Sequence, residues 1–326
     1  MSFVSSARFP DRPSVLRNRD FAVATVARAV SVFGDQLAVI VLVLRLHNLG
    51  GGAWGVAGVL AAGTLPGVLL SPVAGLLADR WDSRALLLAG SVVQALVCVL
   101  LAFSGPVAVV LALVGVLSAV EAVVSATWQA LVPRIVGEDQ IPAALGLGRT
   151  ATTAASLVAP AAGGVLAAAY GSRVPLLIDA ATYLAVLGAA IAVRTRRHIV
   201  ADSRTRSRMW DGLAFVRSDR VARPLLTSLI VFVVVGGTVN VVDVFLVRDT
   251  LGASDAWYGA IVALWLAGMV AGSLLAGRRR GEPALTRAAL GGAATIALAL
   301  GAIAAVPSVG WLVPLELAGG IGNGML

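Results

Sequence analysis

Six ionisable side chains interrupt otherwise apolar stretches of this sequence: Arg28, Asp35, Glu121, Asp179, Asp243 and Glu316. A charge in such surroundings is costly, so these residues usually face a bundle interior or a watery cavity and mark a path for ions or solutes. Desolvation favours the neutral form of a carboxylate, and a carboxylate poised between its two forms can load and release a proton. Arg28, Asp35 and Glu121 stand deepest, and Asp35 is the first candidate for a coupling proton. Asp179 and Asp243 lie close to the outer ends of their stretches, where headgroups or water would reach them.

Other chemistries lack their residues. All 25 basic residues are arginine, so no lysine is available for a phosphate-binding P-loop. His47 and His198 are far apart and the lone Cys98 sits in an apolar run, which provides neither a zinc site nor a disulfide. The HExxH and GxSxG signatures of common hydrolases are absent too. No enzyme, metal centre or cofactor is expected, and any work done must draw on a gradient or a partner.

The elements that position these charges follow from composition. The 326 residues are 59% hydrophobic and 13% charged, with a mean hydropathy of +0.92, against about 45–50% apolar and about 25% charged in soluble domains. The apolar residues come in blocks of about 20, enough to cross a bilayer core of about 30 Å. An all-α polytopic membrane protein is predicted, with spans near 21–45, 54–78, 85–104, 107–131, 150–169, 175–193, 224–247, 257–277, 288–306 and 309–326. Counted on alternate sides of these spans, 21 arginines fall on one side and three (Arg45, Arg173 and Arg248) on the other, with Arg28 inside a span. The positive-inside rule then places the amino terminus in the cytoplasm. The net charge of +8 thus reads as a topology signal, and no nucleic-acid partner is expected. The first twenty residues are polar and lack the cleavage site of a signal peptide.

The chain divides into a six-helix unit (1–193), a polar cytoplasmic linker (194–223) and a second unit (224–326) in which four helices are present. Within the linker, RMWDGLAFVR suggests a short amphipathic helix on the membrane surface. HNLGGGAWGVAG from His47 is echoed by DTLGASDAWYGAI from Asp249, and the even number of intervening helices makes the repeats parallel. Gly63–Gly67, Gly268–Gly272 and Gly320–Gly324 form Gly-xxx-Gly steps that let helix backbones approach closely.

GLLADRWDSR, Gly75 to Arg84, at the end of the second span resembles the major facilitator superfamily signature Gly-x-Leu-Ala-Asp-Arg-x-Gly-Arg-Arg. Gly75, Asp79, Arg80 and Arg84 match, while Asp82 replaces a glycine and Ser83 an arginine. ASLVAPAAGG in the fifth span resembles the antiporter motif of that superfamily through Pro160, Gly163 and Gly164. With PRIVGEDQIPAALGL and LLIDAATYL, the chain looks similar to the macrolide-efflux-type drug:proton antiporter branch. It departs from drug:proton antiporters in lacking the buried arginine of the fourth helix, where Glu121 stands.

The resemblance implies a bundle of two six-helix halves, the second incomplete here, since the sequence stops inside the tenth span and looks truncated. Such a chain, alone, is expected to transport poorly and to be unstable in detergent. The resemblance gives Asp79 and Arg80 a gating role and implies a central cavity lined by Asp35, Arg28 and Glu121, with Asn240, Asp243 and Glu316 opposite. Trp54, Trp128 and Trp265 are candidate cavity walls, although interfacial anchoring or packing is the better reading of them. The implied activity is export of drugs or other amphipathic small molecules across the cytoplasmic membrane by proton antiport and alternating access. Protons, cargo and lipid are the expected partners of a monomer. Siderophore or lipid export, solute uptake and a non-transporting sensor are the alternatives.

Depth predicts one pairing. Arg28 lies roughly 10 Å from the inner start of the first span and Glu121 roughly 15 Å from the inner end of the fourth, at about 1.5 Å per residue. Arg28 is therefore expected to alternate between Glu121 and a deprotonated Asp35, with a static Arg28–Glu121 bridge or a snorkelling Arg28 as alternatives.

Overall fold

The computed structural model describes residues 15–193, 218–219, 222–279 and 281–326. The proposed linker lies almost wholly outside the described residues, as does the suggested amphipathic helix at 208–217. Among the described residues, ten long helices follow one another: α1 (Arg19–Asn48), α2 (Gly52–Arg80), α3 (Ser83–Phe103), α4 (Val107–Val136), α5 (Ile141–Tyr170), α6 (Arg173–Ala192), α7 (Ala222–Phe245), α8 (Asp255–Gly277), α9 (Glu282–Ile303) and α10 (Val309–Met325). Eight of them are long and apolar enough to cross a membrane. The two outside that set are α7 and the 17-residue α10.

The helices run further than their apolar cores. The start of α5 at Ile141 precedes the expected 150, because Pro142 in its first turn needs no hydrogen-bond partner and a polar turn precedes the apolar run. Likewise α4 continues through Pro133 to Val136. Asn18 caps α1 by accepting from the Asp20 and Phe21 amides, and its own amide donates to the Ile135 carbonyl at 2.8 Å. One residue thereby fixes where α1 begins and ties it to the end of α4.

Within α1–α6, α1 is central, packed against α2, α5 and α6. Its stretch Leu37–Leu46 is buried apart from Val39 and Arg45. The remaining close pairs here are α2 with α4, and α3 with both α4 and α6. In the second group α8 packs on α10 and α10 on α9, whereas α7 leans on α2 and α1. The Gly-xxx-Gly steps explain the closest of these approaches. A β-carbon at Gly268 or Gly272 would run into the α10 backbone, and one at Gly320 or Gly324 into that of α8. Gly67 brings α2 onto α4, its amide donating to Ser118 Oγ at 3.1 Å.

Large apolar side chains such as Leu69, Leu96 and Leu298 remain exposed, as expected of a surface that meets lipid tails. The three arginines at the sparsely charged end are each engaged. Arg45 donates to the Leu101 and Ser104 carbonyls at the end of α3, Arg173 stands over the Phe103 ring at 5.7 Å, and Arg248 donates to the Ala253 carbonyl at 2.7 Å.

Candidate functional site

Four helices of the first group enclose a seam of polar side chains. Arg28 on α1 meets Glu121 on α4, with Nη2 and Oε1 2.5 Å apart and both side chains about three-quarters buried. The other Glu121 oxygen accepts from Gln94 Nε2 on α3 at 3.0 Å. Asp35 turns towards α6, where the Tyr183 hydroxyl donates to Oδ1. One turn from Tyr183, Asp179 accepts from the Cys98 thiol at 3.1 Å and lies beside the Thr182 hydroxyl. Gly34 makes room for this contact, since a β-carbon there would collide with the Asp179 carboxylate and Thr182. Asp35 stands within electrostatic reach of Arg28, Glu121 and Asp179.

A central cavity of about 360 Å³ opens between the two groups. From the first group come Gln36, Val39, Ile40, Val43, Leu60 and Pro160; from the second come Asn240, Asp243, Tyr258, Trp265, Glu316 and Asn323, among others. A second cavity of about 370 Å³, lined by Arg28, Arg149, Ser156 and Val270, shares Gln36, Leu266 and Met269 with it. Asp243 and Glu316 lie within electrostatic reach of each other, and neither forms a hydrogen bond or ion pair with another described residue.

The groups touch directly at the end carrying His47 and Asp255. Gly163 and Gly164 face different neighbours of α5: a β-carbon at Gly163 would approach the Leu37 carbonyl of α1 to 3.2 Å, and one at Gly164 the Asp255 carbonyl of α8 to 2.6 Å. Gly259 reciprocates, facing the Pro160 carbonyl. Nearby, His47 Nε2 lies 3.0 Å from Asp249 Oδ1, and the imidazole stands edge-on to the Phe245 ring.

Several expectations change against this geometry. Asp179 is fully buried, out of contact with water or headgroups, because α6 aims it between α1 and α3. Asp35 and Glu121 are not among the residues lining the central cavity; they point into the first group, whereas Arg28 lines the second cavity and a further one beside Trp128. Arg28 is joined to Glu121, and no bond joins it to Asp35. Asp243, which its position put near an outer end and the resemblance put in the cavity, lines the central cavity together with Asn240 and Glu316. Of the tryptophans, Trp265 lines it too, Trp128 is buried and Trp54 is 90% exposed.

The signature residues have local partners. Gly75 borders open space, and Asp79 and Arg80 are exposed in the last turn of α2. Asp82 caps α3 by accepting from the Ala85 amide at 2.9 Å, and Arg84 donates to the Ile191 carbonyl at the end of α6. The carboxylate that replaces a glycine of the signature therefore has a structural use. Sequence reasoning missed Gln94, Cys98, Thr182 and Tyr183 as members of the seam; the four-residue spacings of Gln94–Cys98 and Asp179–Tyr183, one helix face each, were the available signal. Among the described residues, no cluster of His, Cys, Asp or Glu is placed to hold a metal ion.

A family model described as Major Facilitator Superfamily matches residues 24–326. The chain is 23% identical over 282 residues to an uncharacterized MFS-type transporter, YfiS, of Bacillus subtilis (strain 168), covering 83% of this chain and 66% of that protein. It therefore spans just under two thirds of that relative's length. Among solved structures, it superposes on the nucleoside transporter NupG with a TM-score of 0.72 at 12% identity, covering 94% of this chain and 80% of that one. A bacterial homolog of the human lysosomal transporter Spinster, in an inward-facing and unoccupied conformation, gives a TM-score of 0.68 at 14% identity, covering 96% and 74%. At such identities these two likenesses speak for the fold alone.

Proposed function

This chain belongs to the major facilitator superfamily, and from that premise we propose that it is a secondary transporter exporting amphipathic small molecules, drugs among them, by proton antiport. The observation that carries this reading is a cavity lined from both helix groups and shut at one end by direct backbone packing of α5 on α8. Rocking about such a joint would expose the cavity to one side and then the other. The closed end carries His47 and the second cavity extends towards Arg149, in the arginine-rich end. Under the positive-inside rule that end is cytoplasmic, the amino terminus with it, and the cavity would be entered from the cytoplasm.

In this scheme Asp35 carries the proton. It immediately precedes Gln36 of the Gln36–Ile40 cavity wall and faces the other way, so a change of charge there acts on α1, the helix shared by seam and cavity. Arg28, joined to Glu121 and lining the second cavity, would relay that change towards the entrance. The linker 194–223 would connect the two units, and Asp79, Arg80 and Arg84 would act at the cytoplasmic face, with Gly75 allowing close approach there. Pro160 removes one backbone hydrogen bond from α5 beside Gly163 and Gly164 and lets the helix bend at the joint.

The test is a panel of amphipathic compounds in inverted membrane vesicles, with and without an imposed pH gradient. Slow but gradient-dependent accumulation is expected, and Asp35→Asn should abolish it while membrane abundance stays nearly unchanged. Normal transport and pH dependence in Asp35→Asn would make Asp35 a packing residue.

A further inference from the structure

Taking the transporter reading of this cavity as the starting point, we infer that its ligand is an organic cation whose charge is met by Glu316 and Asp243. Glu316 is only 3% exposed, yet its side chain lines the central cavity and finds no partner among the described residues. That sets it apart from the other buried charges: Arg28 has Glu121, Asp35 has Tyr183, and Asp179 has Cys98 and Thr182. Asp243 faces the same space, and the titratable Tyr258 lies within electrostatic reach of both carboxylates. No arginine lines this cavity; its uncharged polar side chains are Gln36, Asn240 and Asn323.

Two carboxylates facing one apolar cavity repel each other, and an unpaired buried charge is strongly unfavourable. A bound cation answers both. The surroundings favour an organic ion over a metal, because hard metal ions need six or more oxygen ligands at short range and most of the wall here is aliphatic. Trp265 adds an aromatic surface beside the acids. Its ring rests where a β-carbon of Gly319 would be, one turn beyond Glu316 on α10. An aromatic face next to a carboxylate suits a cation with apolar substituents. An anion is disfavoured by the same carboxylates and would be drawn instead to Arg28 and Arg149 in the second cavity.

Equilibrium binding to the protein in lipid nanodiscs distinguishes charge from shape. The probes are methyltriphenylphosphonium, its neutral near-isostere triphenylphosphine oxide, and the anion tetraphenylborate. The cation is expected to bind at least about tenfold more tightly than the neutral compound, as loss of one member of a buried charge pair implies. Glu316→Gln should erase most of that preference while leaving the affinity for the neutral compound in place, which also shows that the variant is folded. Asp243→Asn should reduce the preference less, and Glu316→Asp should restore part of it. Equal binding of cation and neutral compound by the unaltered protein, or an unchanged preference in Glu316→Gln, would overturn the inference. Gradient-driven flux of the neutral compound reports on transport separately. Flux without any cation preference overturns only the inference, whereas a cation preference with no flux of either compound supports the inference and refutes transport.

Discussion

The two helix groups hold their charges in opposite ways. In α1–α6 every ionisable group of the interior is bonded to a neighbour across a helix interface, and the seam faces inward. In α7–α10 the two interior carboxylates face the shared cavity and are bonded to none of the described residues. Bonded charges at packed interfaces hold helices in register, and altering one disturbs the fold around it. Unbonded charges on a cavity wall leave their energy to be lowered by whatever enters. Under the proposed transport reading, coupling and cohesion fall to the first group and ligand recognition to the second.

The sharpest way to break this contrast is to remove one partner of the Arg28–Glu121 pair. Arg28→Gln leaves Glu121 largely buried with only Gln94, and breaking a buried pair on one side costs about 3–5 kcal/mol. With roughly a quarter of each side chain exposed, the lower end of that range is expected. The double variant Arg28→Gln, Glu121→Gln should recover most of the loss, because no uncompensated charge remains. Thermal unfolding in detergent of the single and double variants reads this out, and flux measured on the same set gives the coupling energy. Additive losses would mean that the two residues act independently.

A smaller effect is expected where the groups meet. Gly164→Val pushes a branched side chain into the Asp255 carbonyl and the Gly259 backbone. Overpacking of this kind costs about 1–3 kcal/mol, and here it falls on one conformation, the state closed at the His47 end. Cysteine cross-linking between α5 and α8 should slow in the variant, while stability of the α1–α6 contacts changes little. Unchanged cross-linking would mean that the joint tolerates separation and does not set the closed state.

The close approach of α8 and α10 was the most legible part of the sequence, because a glycine repeating every fourth residue puts its meaning in its spacing; the α5–α8 joint, made by Gly163, Gly164 and Gly259, carries no such repeat. The Arg28–Glu121 contact was legible for a related reason: depth along two antiparallel helices fixes which residues lie at the same level. What spacing does not carry is direction around the helix axis when every face is apolar. In α6 nothing in the pattern distinguishes the face bearing Asp179 from the face that meets lipid, and its partner is a thiol, which by itself reads as a small apolar residue. Asp35 was misplaced on the cavity wall for the same reason; its partner Tyr183 lies 148 residues away. His47 and Asp249 could have been paired, since the repeated loops that begin with them fall at the same end of the molecule.

The finest comparison uses two tyrosines. Tyr183 in the first group and Tyr258 in the second are both almost completely buried, at 1% and 2% exposure. Each lies near carboxylates, Tyr183 beside Asp35 and Tyr258 within reach of Asp243 and Glu316. Only Tyr183 donates a hydrogen bond to its acid; the Tyr258 hydroxyl has no partner among the described residues, and the residue lines the central cavity. Removing a hydroxyl by substitution with phenylalanine preserves the ring and its packing, so the difference between the two variants isolates the bond. Hydrogen bonds between membrane helices contribute about 0.6 kcal/mol on average and up to about 1.7. Tyr183→Phe also leaves an Asp35 oxygen in the seam without its donor, so a loss near the upper end, about 1–1.5 kcal/mol, is expected. Tyr258→Phe should change stability by less than about 0.5 kcal/mol. Parallel unfolding curves of the two variants decide the matter. Equal losses would show that the cavity tyrosine is held as firmly as the seam tyrosine, and the division between a bonded and an unbonded group of acids would then fail at its closest point of comparison.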